Sequence, residues 1–236
     1  DVKLNLENGI KVSSNFNSNI KLNKKLLNKY ERFYKQNNLL TQFNIVEGNF
    51  NNNFSIAFDE TYKMIDYNYN ISGNLNKGEF VLLEAIENEI IKEKIKKVYF
   101  SNIKIKSAFT PKSIRLEGDG KYSFNNFDFL KINFENNLKD KEINLKLNFD
   151  YKNSLDLSFI NYKKTKNSLA NLNLDLEKKA DKIKIKNLSY NEGKNEIKIN
   201  SLVFDNNFVS YFKKIDVKTS DNDFSIQNNN KIIIKG

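Results

Sequence analysis

The chain has no histidine, no cysteine and no tryptophan, and only one proline and one methionine among its 236 residues. Without cysteine it can form no disulfide, supply no thiolate ligand to a metal and offer no cysteine nucleophile. Without histidine it has no Ser–His or Cys–His catalytic pair and no imidazole zinc site. The sequence therefore excludes these enzyme classes for this stretch of chain.

Phosphate-binding signatures are also missing, since neither G-x-x-x-x-G-K-[ST] nor G-x-G-x-x-G occurs. The closest match, Gly118-Asp119-Gly120, is predicted to be a turn. Carboxylate pairs such as Asp221 with Asp223 are expected by chance among 29 acidic residues. We therefore expect no enzymatic activity, no metal and no cofactor.

The charge is strongly positive, at +10, yet only two of the 39 basic residues are arginine. A basic surface can attract nucleic acid, and aromatic residues beside lysine, as in Lys121-Tyr122-Ser123-Phe124, can stack on bases. However, the abundant residues Asn, Lys, Ile, Phe and Tyr all have AT-rich codons, so genome composition is enough to explain the charge. Arginine, which most often reads bases, is nearly absent. We expect no nucleic-acid partner.

Hydropathy indicates a folded protein with no membrane-spanning helix. The mean hydropathy of −0.64 is low, but Ile, Leu and Phe are too frequent for a disordered chain. No run of eighteen apolar residues occurs. Because Asp1 lies in a strand-like segment and Gly236 directly follows another, we expect a segment of a longer protein whose anchor and targeting signals lie outside it.

The strongest pattern is an alternation of apolar and polar residues with period two, which predicts β-strands. It is clearest from Ile143 to Phe149, and it also occurs at Phe54–Phe58, Ile103–Ile105 and Ile132–Phe134. Such alternation favours antiparallel strands with one apolar and one wet face. The predicted apolar face, which is our candidate binding surface, consists of Ile143, Leu145, Leu147, Phe149, Leu155, Leu157, Phe159, Leu172, Leu174, Leu176, Ile183, Ile185, Ile197, Ile199, Ile232 and Ile234.

Turn-forming sequences separate the predicted strands, as an antiparallel meander requires. The alternation also loses phase at 185–188 and at 204–208, where bulges or short turns would bend the sheet. The predicted turns are Glu7-Asn8-Gly9, Asn74 to Gly78, Glu117 to Gly120 and Asn191 to Gly193.

Two segments depart from the strand pattern. Leu22 to Asn37 has apolar residues at three- and four-residue spacing, which predicts an amphipathic helix closing one end of the apolar face. Val81 to Lys97 is either a second helix or a long charged connection. The fold predicted for residues 1–236 is a single all-β segment with one or two short helices, in which a long curled antiparallel meander sheet forms a groove or taco-like trough.

Several of these segments resemble the AsmA-like family of bacterial envelope proteins, in its YhdP branch, which is related to TamB-type lipid-transfer proteins. Ile71 to Gly78 is similar to an x-G-x-L-x-x-G hairpin of that family, and Ile114 to Tyr122 to its hydrophobic-x-G-x-G-x-hydrophobic element. The other similar segments are Asn44 to Phe50, Ser168 to Leu176, Ile183 to Leu188, Glu196 to Phe204 and Lys231 to Gly236.

The resemblance implies a periplasmic location in a Gram-negative bacterium, with the parent protein anchored in the inner membrane by a segment outside this chain. It also implies a curled sheet and a role in moving phospholipid between the membranes, possible partners being outer-membrane components. Acyl chains would lie on the Ile/Leu/Phe face, where each buried CH₂ contributes about 0.8 kcal/mol.

Three alternatives remain open from the sequence. The apolar face can be an ordinary core closed by a second layer, in a structural or adhesion module without ligand. The alternation also fits, less well, an outer-membrane β-barrel, because Phe and Tyr are scattered rather than gathered in two girdles. The third alternative is an enzyme that uses only carboxylates and lysine.

Overall fold

The computed structural model describes residues 2–5, 10–34, 41–228 and 232–235. About 75% of the structure is strand and 5% is helix, and the strands form a large antiparallel sheet. The prediction of an antiparallel, nearly all-β protein is confirmed. Two compact units divide the chain: unit 1 contains Asp1–Glu84 and Lys96–Phe129, and unit 2 contains Ala85–Ile95 and Leu130–Gly236.

In unit 1 each strand lies beside the next strand in sequence. Long strands form where the alternation of apolar and polar residues continues through Asn-rich sequence. Asparagine takes the polar positions on the solvent-exposed face, so the period of two is not interrupted. The elements are β1 (Val2–Asn5), β2 (Ile10–Asn23), α1 (Lys24–Tyr34), β3 (Phe43–Phe58), β4 (Met64–Ile86), β5 (Ile95–Phe109) and β6 (Ser113–Ser123).

The helix predicted at Leu22 to Asn37 begins two residues later than expected, because Leu22 and Asn23 complete β2. Asn23 caps the helix: its Oδ1 accepts a hydrogen bond of 3.0 Å from the backbone N–H of Leu26. Leu27 is buried, and α1 packs against β2 and β3. Positions 35–37 of the predicted helix lie outside the described residues.

Val81 to Lys97 contains no helix. Of the two predicted alternatives, a second helix or a long charged connection, the structure shows the connection. Its first part completes β4, residues 87–94 are irregular, and β5 begins at Ile95. The Oδ1 atom of Asn88 accepts hydrogen bonds from the backbone N–H groups of Ile90 and Ile91, at 2.9 and 2.8 Å. The side chain of Asn88 therefore occupies backbone N–H groups that would otherwise donate to carbonyl oxygens within a helix. Such a local hydrogen bond favours a turn.

Two predicted turns are wrong. Asn74 to Gly78 lies inside β4, so the family-like hairpin at Ile71 to Gly78 is not formed, and Glu117 to Gly120 lies inside β6. Gly118-Asp119-Gly120 is therefore part of a strand.

The glycine at position 120 serves close packing of two backbones rather than a turn. A Cβ atom there would lie 2.4 Å from the carbonyl oxygen of Asn102 and 2.7 Å from the Cα of Ile103. These residues belong to a bulge of β5 between Ser101 and Lys104, where Asn102 has a φ of 52°. A bulge brings the neighbouring strand too close for any side chain, so glycine is required.

The predicted turn at Asn191 to Gly193 is confirmed. Glu192 pairs with Asn195 across a tight hairpin, and Gly193 has a φ of 58°, which glycine adopts without strain. Positions 7–9, which hold the predicted Glu7-Asn8-Gly9 turn, lie outside the described residues.

Unit 2 is a second run of paired strands with one insertion. Its sheet has the strand order β7-β8-β11-β12-β13-β14-β15-β16, and β9 pairs only with β10. A short 3₁₀ helix, Ser158–Ile160, connects β9 to β10. The strands are β7 (Leu130–Lys139), β8 (Glu142–Tyr151), β9 (Leu155–Leu157), β10 (Tyr162–Lys164), β11 (Ala170–Lys179), β12 (Lys182–Glu192), β13 (Asn195–Asp205), β14 (Phe208–Lys218), β15 (Asp223–Asn228) and β16 (Ile232–Lys235).

Both predicted phase shifts have the expected causes. At 185–188, Leu176 pairs with Ile185 but Asp175 pairs with Asn187, so Lys186 is the extra residue of a bulge. At 204–208 a tight turn joins β13 to β14, with φ values of 49° at Asn206 and 65° at Asn207. Positive φ at both central residues is the type I′ geometry that suits two-residue hairpins.

Candidate functional site

One face of the unit 2 sheet carries apolar side chains in straight rows across the strands. Directly opposed residues of antiparallel strands point to the same face, so the pairing register shows which side chains are neighbours. The clearest row, which we call the middle row, consists of Phe134, Leu147, Leu174, Leu188, Ile199, Ile215, Ile226 and Ile234.

Three more rows lie on the same face. The covered row, on one side of the middle row, is Ile132, Phe149, Leu172, Tyr190, Ile197, Val217 and Phe224. The third row, on the other side, is Asn136, Leu145, Leu176, Ile185, Leu202 and Phe212. The outer row follows it and is Leu138, Ile143, Lys178, Ile183, Phe204 and Val209.

The structure brings most of the predicted apolar face together in these rows, but it places three predicted residues elsewhere. Leu155 and Leu157 lie in β9, outside the large sheet, and Phe159 lies in the 3₁₀ helix with 77% of its surface exposed. The alternation of these residues is real, but it belongs to a two-stranded hairpin. Periodicity cannot distinguish such a hairpin from a strand of the main sheet.

Within the large sheet, the edge strand is the most exposed part of the predicted face. Ile232 and Ile234 of β16 are 66% and 68% exposed, because β16 has β15 on one side only. The remaining members of the four rows are mostly half-buried. The apolar surface at the sheet edge is therefore less shielded from solvent than the apolar surface at the centre of the sheet.

Residues 155–164, which we call the lid, fold over the covered row. Leu155, Leu157 and Ile160 of the lid pack against a buried cluster. The cluster contains Tyr162 of the lid and three covered-row residues, which are Tyr190, Ile197 and Val217. The second layer that the sequence left as an alternative therefore exists, and the covered row is where it packs.

Hydrogen bonds hold the lid at both sides. The hydroxyl of Tyr190 lies 2.6 Å from that of Tyr162, which donates to the carboxylate of Glu192. The side-chain amide of Asn222 donates to the carbonyl of Ile160 at 2.6 Å. These bonds fix the lid to β12 and to the turn between β14 and β15, both distant in sequence.

A buried lysine fixes the base of the lid. Lys164 is only 2% exposed, and its Nζ donates to the carbonyl oxygens of Lys152, Asn153 and Thr165 at 3.0, 2.9 and 3.0 Å. The same Nζ lies 5.7 Å from the centre of the Tyr151 ring, within the range of a cation–π interaction. Burial lowers the pKa of Lys164. The three carbonyls satisfy all three ammonium donors, so this charge is tolerated inside the protein.

Burial also shifts the tyrosines of this region, raising the pKa of Tyr151 and of Tyr190 from 10.0 to about 12. A folded-state pKa above the unfolded value gives stability that is complete below the unfolded pKa. We therefore expect unit 2 to lose stability between about pH 10 and about pH 12, and urea unfolding with phenolate absorbance measures this. Tyr190→Phe should remove part of this pH dependence.

The control is Tyr62→Phe in unit 1, where the ring is 75% exposed. It should leave the alkaline loss of stability unchanged. Identical profiles for the Tyr190→Phe protein and the wild type would contradict the assignment of this loss to the buried ring.

The third row contains one unsatisfied polar atom. The Oδ1 atom of Asn136 is buried and has no hydrogen-bond partner. A buried acceptor without a donor costs about 1–3 kcal/mol. This atom is a local source of instability in the third row.

The opposite face of unit 2 is wet and charged, as the alternation predicts. Lysines there lie near carboxylates: Lys186 is 2.9 Å from Glu177, and Lys214 is 2.8 Å from Asp216. Paired charges of this kind add little stability, but they keep this face soluble.

Unit 1 contains an aromatic cleft that the sequence did not single out. It has a volume of about 440 Å³ and is lined by Phe16, Phe54, Ile56, Met64, Tyr67, Asn68, Tyr69 and Phe109. The rings of Tyr69 and Phe109 stack with their centres 6.0 Å apart. Alternation places Phe54 and Ile56 on one face, but the stacking depends on β4 lying beside β5, which local sequence does not predict.

A buried amide holds one of the residues that line this cleft. Asn52 is 5% exposed; its Oδ1 accepts from the hydroxyl of Tyr69 at 2.8 Å, and its Nδ2 donates to Ser18 Oγ at 2.9 Å. These bonds fix the orientation of the Tyr69 ring. The cleft therefore has a rigid aromatic wall.

Two features are absent from the part of the chain that the structure describes. It contains no group of three or more carboxylates arranged to hold a metal ion. It also contains no helix with the length and apolar character needed to cross a bilayer.

Comparison with known proteins gives no match: no family model, no curated protein and no solved structure is significantly similar to this chain.

Proposed function

We propose that this chain is a non-enzymatic segment of an envelope protein and holds phospholipid acyl chains on the open rows of unit 2. In this proposal the parent protein is anchored in the inner membrane of a Gram-negative bacterium, and the segment lies in the periplasm. It conducts phospholipid between the inner and outer membranes. The resemblance to AsmA-like proteins supports the location, and the apolar rows support the ligand.

The observation that carries the proposal is the unbroken middle row beside a lid that packs on the covered row. From Leu174 to Lys178 the open face extends about 13 Å along β11, while one leaflet of a bilayer core is about 15 Å thick. Most of an acyl chain therefore fits between the lid and the outer row. Each CH₂ group that it buries contributes about 0.8 kcal/mol.

A second candidate is a structural or adhesion module without ligand. The lid favours it, because the lid shows that this chain covers part of its apolar face by itself. In that case a partner segment of protein, rather than lipid, would cover the open rows. A lipid-binding measurement separates the two candidates.

Because the chain has no tryptophan, a single indole can report lipid contact. We expect the fluorescence of a Phe134→Trp protein, which carries the indole in the middle row, to be quenched by phospholipid with brominated acyl chains. The protein would be purified without detergent, and native mass spectrometry would measure the lipid stoichiometry.

The matched control is Phe127→Trp, because Phe127 lies between β6 and β7 with 86% of its surface exposed. Its indole should not be quenched. A second test compares Ile185→Asn on the apolar face with Lys184→Asn on the wet face, and only the first should reduce lipid retention. Folded Phe134→Trp protein without quenching or bound lipid would reject the lipid proposal in favour of the ligand-free module.

A further inference from the structure

The outer row contains one basic residue in an otherwise apolar surface. Lys178 pairs with Ile143 on one side and with Ile183 on the other, so all three side chains share a face. Among the paired positions of the four rows on β7, β8 and β11–β14, Lys178 is the only lysine or arginine. It is exposed, so its ammonium group is accessible.

Neighbouring lysines on the opposite face have carboxylate partners, whereas Lys178 has none. Lys179 lies 3.5 Å from Glu142, and Lys182 lies 3.3 Å from Asp205. The described structure shows no carboxylate within ion-pair distance of Lys178. A lysine placed among isoleucines and free of an acid is available to an external anion.

The charges at the other end of the same face are already partnered. Glu192 lies at the lid end, where it accepts hydrogen bonds from the hydroxyl of Tyr162 and the side-chain amide of Asn195. Burial by itself would raise its pKa, but hydrogen bonds, including these two, and the charge of Lys164 outweigh it and lower the pKa. Lys164 is itself buried and bonded to three carbonyl oxygens, so this cation is not available to an external anion.

We propose that Lys178 binds the anionic head of an amphiphile whose acyl chain runs across the third and middle rows toward the lid. This inference rests on the proposed function. It specifies that the ligand has an anionic head group and that its acyl chain points toward the lid. The head is a carboxylate or a phosphate, whose shared chemistry is an anionic oxygen. The distance of about 13 Å from Lys178 to the middle row is close to the thickness of about 15 Å that the acyl chains of one leaflet span.

The test uses two amphiphiles with the same acyl chain, palmitate with an anionic head and monopalmitoylglycerol with a neutral one. Binding to the full 236-residue chain is measured through the Phe134→Trp reporter. Lys178→Gln should weaken palmitate binding about fivefold, since one lysine near an anionic group contributes about 1 kcal/mol. Lys178→Arg should retain the wild-type affinity, and monopalmitoylglycerol should bind all variants equally.

Lys179→Gln is the matched control, because it removes the adjacent charge on the opposite face. If both amphiphiles bind and Lys178→Gln affects palmitate no more than Lys179→Gln does, the head site is rejected while the proposed function stands. If neither amphiphile binds the wild-type reporter protein, both proposals are rejected.

Discussion

Replacing Tyr162 with alanine is expected to lower the free energy of unfolding of unit 2 by about 3–5 kcal/mol, the usual cost of truncating a large buried aromatic residue. Tyr162 is 4% exposed, and its ring meets that of Tyr190 edge to face at 5.8 Å. The substitution also removes the hydroxyl that donates to Glu192. Urea unfolding followed by circular dichroism, together with amide hydrogen exchange in β11–β13, measures the loss.

The control is Phe159→Ala in the same lid. Because that ring is 77% exposed, its removal should change the free energy of unfolding by no more than about 0.5 kcal/mol. Similar losses for the two variants would show that the lid does not pack on the covered row as described.

The second large effect is expected in unit 1, where Gly120→Ala should destabilise the protein by about 3 kcal/mol, at the upper end of the usual range for overpacking. The new Cβ would lie 2.4 Å from the carbonyl oxygen of Asn102, and backbone of a paired strand cannot move aside as a side chain can. The bulge of β5 must therefore distort. Thermal and urea unfolding would both report the change.

Gly78→Ala provides the comparison within the same unit. Its nearest contact, 3.2 Å from the new Cβ, is the Cδ2 atom of Leu75, the end of a flexible side chain. We expect a loss of less than about 1 kcal/mol. A Gly120→Ala protein as stable as the Gly78→Ala protein would contradict the close backbone approach.

The period-two pattern predicts the alternation within many strands of unit 2, but not the register that aligns them into rows. Leu145, Leu147 and Leu174 alternate with polar residues, and pairing preserves the alternation from one strand to the next. The shift at Lys186 was also predictable, because a bulge is the usual way for a strand to absorb one extra residue without exposing its apolar side chains.

The lid was not predictable for a related reason. Leu155 and Leu157 alternate as the main strands do, and only tertiary packing separates β9 from the sheet. The prediction of a turn at Gly120 was also wrong, because this glycine lies in a strand and packs against a bulge of the neighbouring strand. A bulge in a neighbouring strand leaves no local sequence signal at the glycine that it requires.

The aromatic cleft of unit 1 was also not predictable, because it too depends on how strands pack together. Phe54 and Tyr69 are both members of alternating segments, but Phe109 reaches Tyr69 only because of how β4 and β5 are placed. Contacts between aromatic rings depend on register, which propensity and period do not determine.

From β11 to β16 every strand pairs with the strand that follows it in sequence. Stability in such an array is approximately a sum over neighbouring pairs, as in repeat proteins. A hairpin added beyond β16 would leave the lid and its anchors at Tyr190, Glu192 and Asn222 intact. Each hairpin would change the width of the apolar surface by about 9.6 Å, twice the spacing between strands. Hairpin number is therefore a means by which evolution can adjust the capacity of this surface without redesigning the rest of the unit.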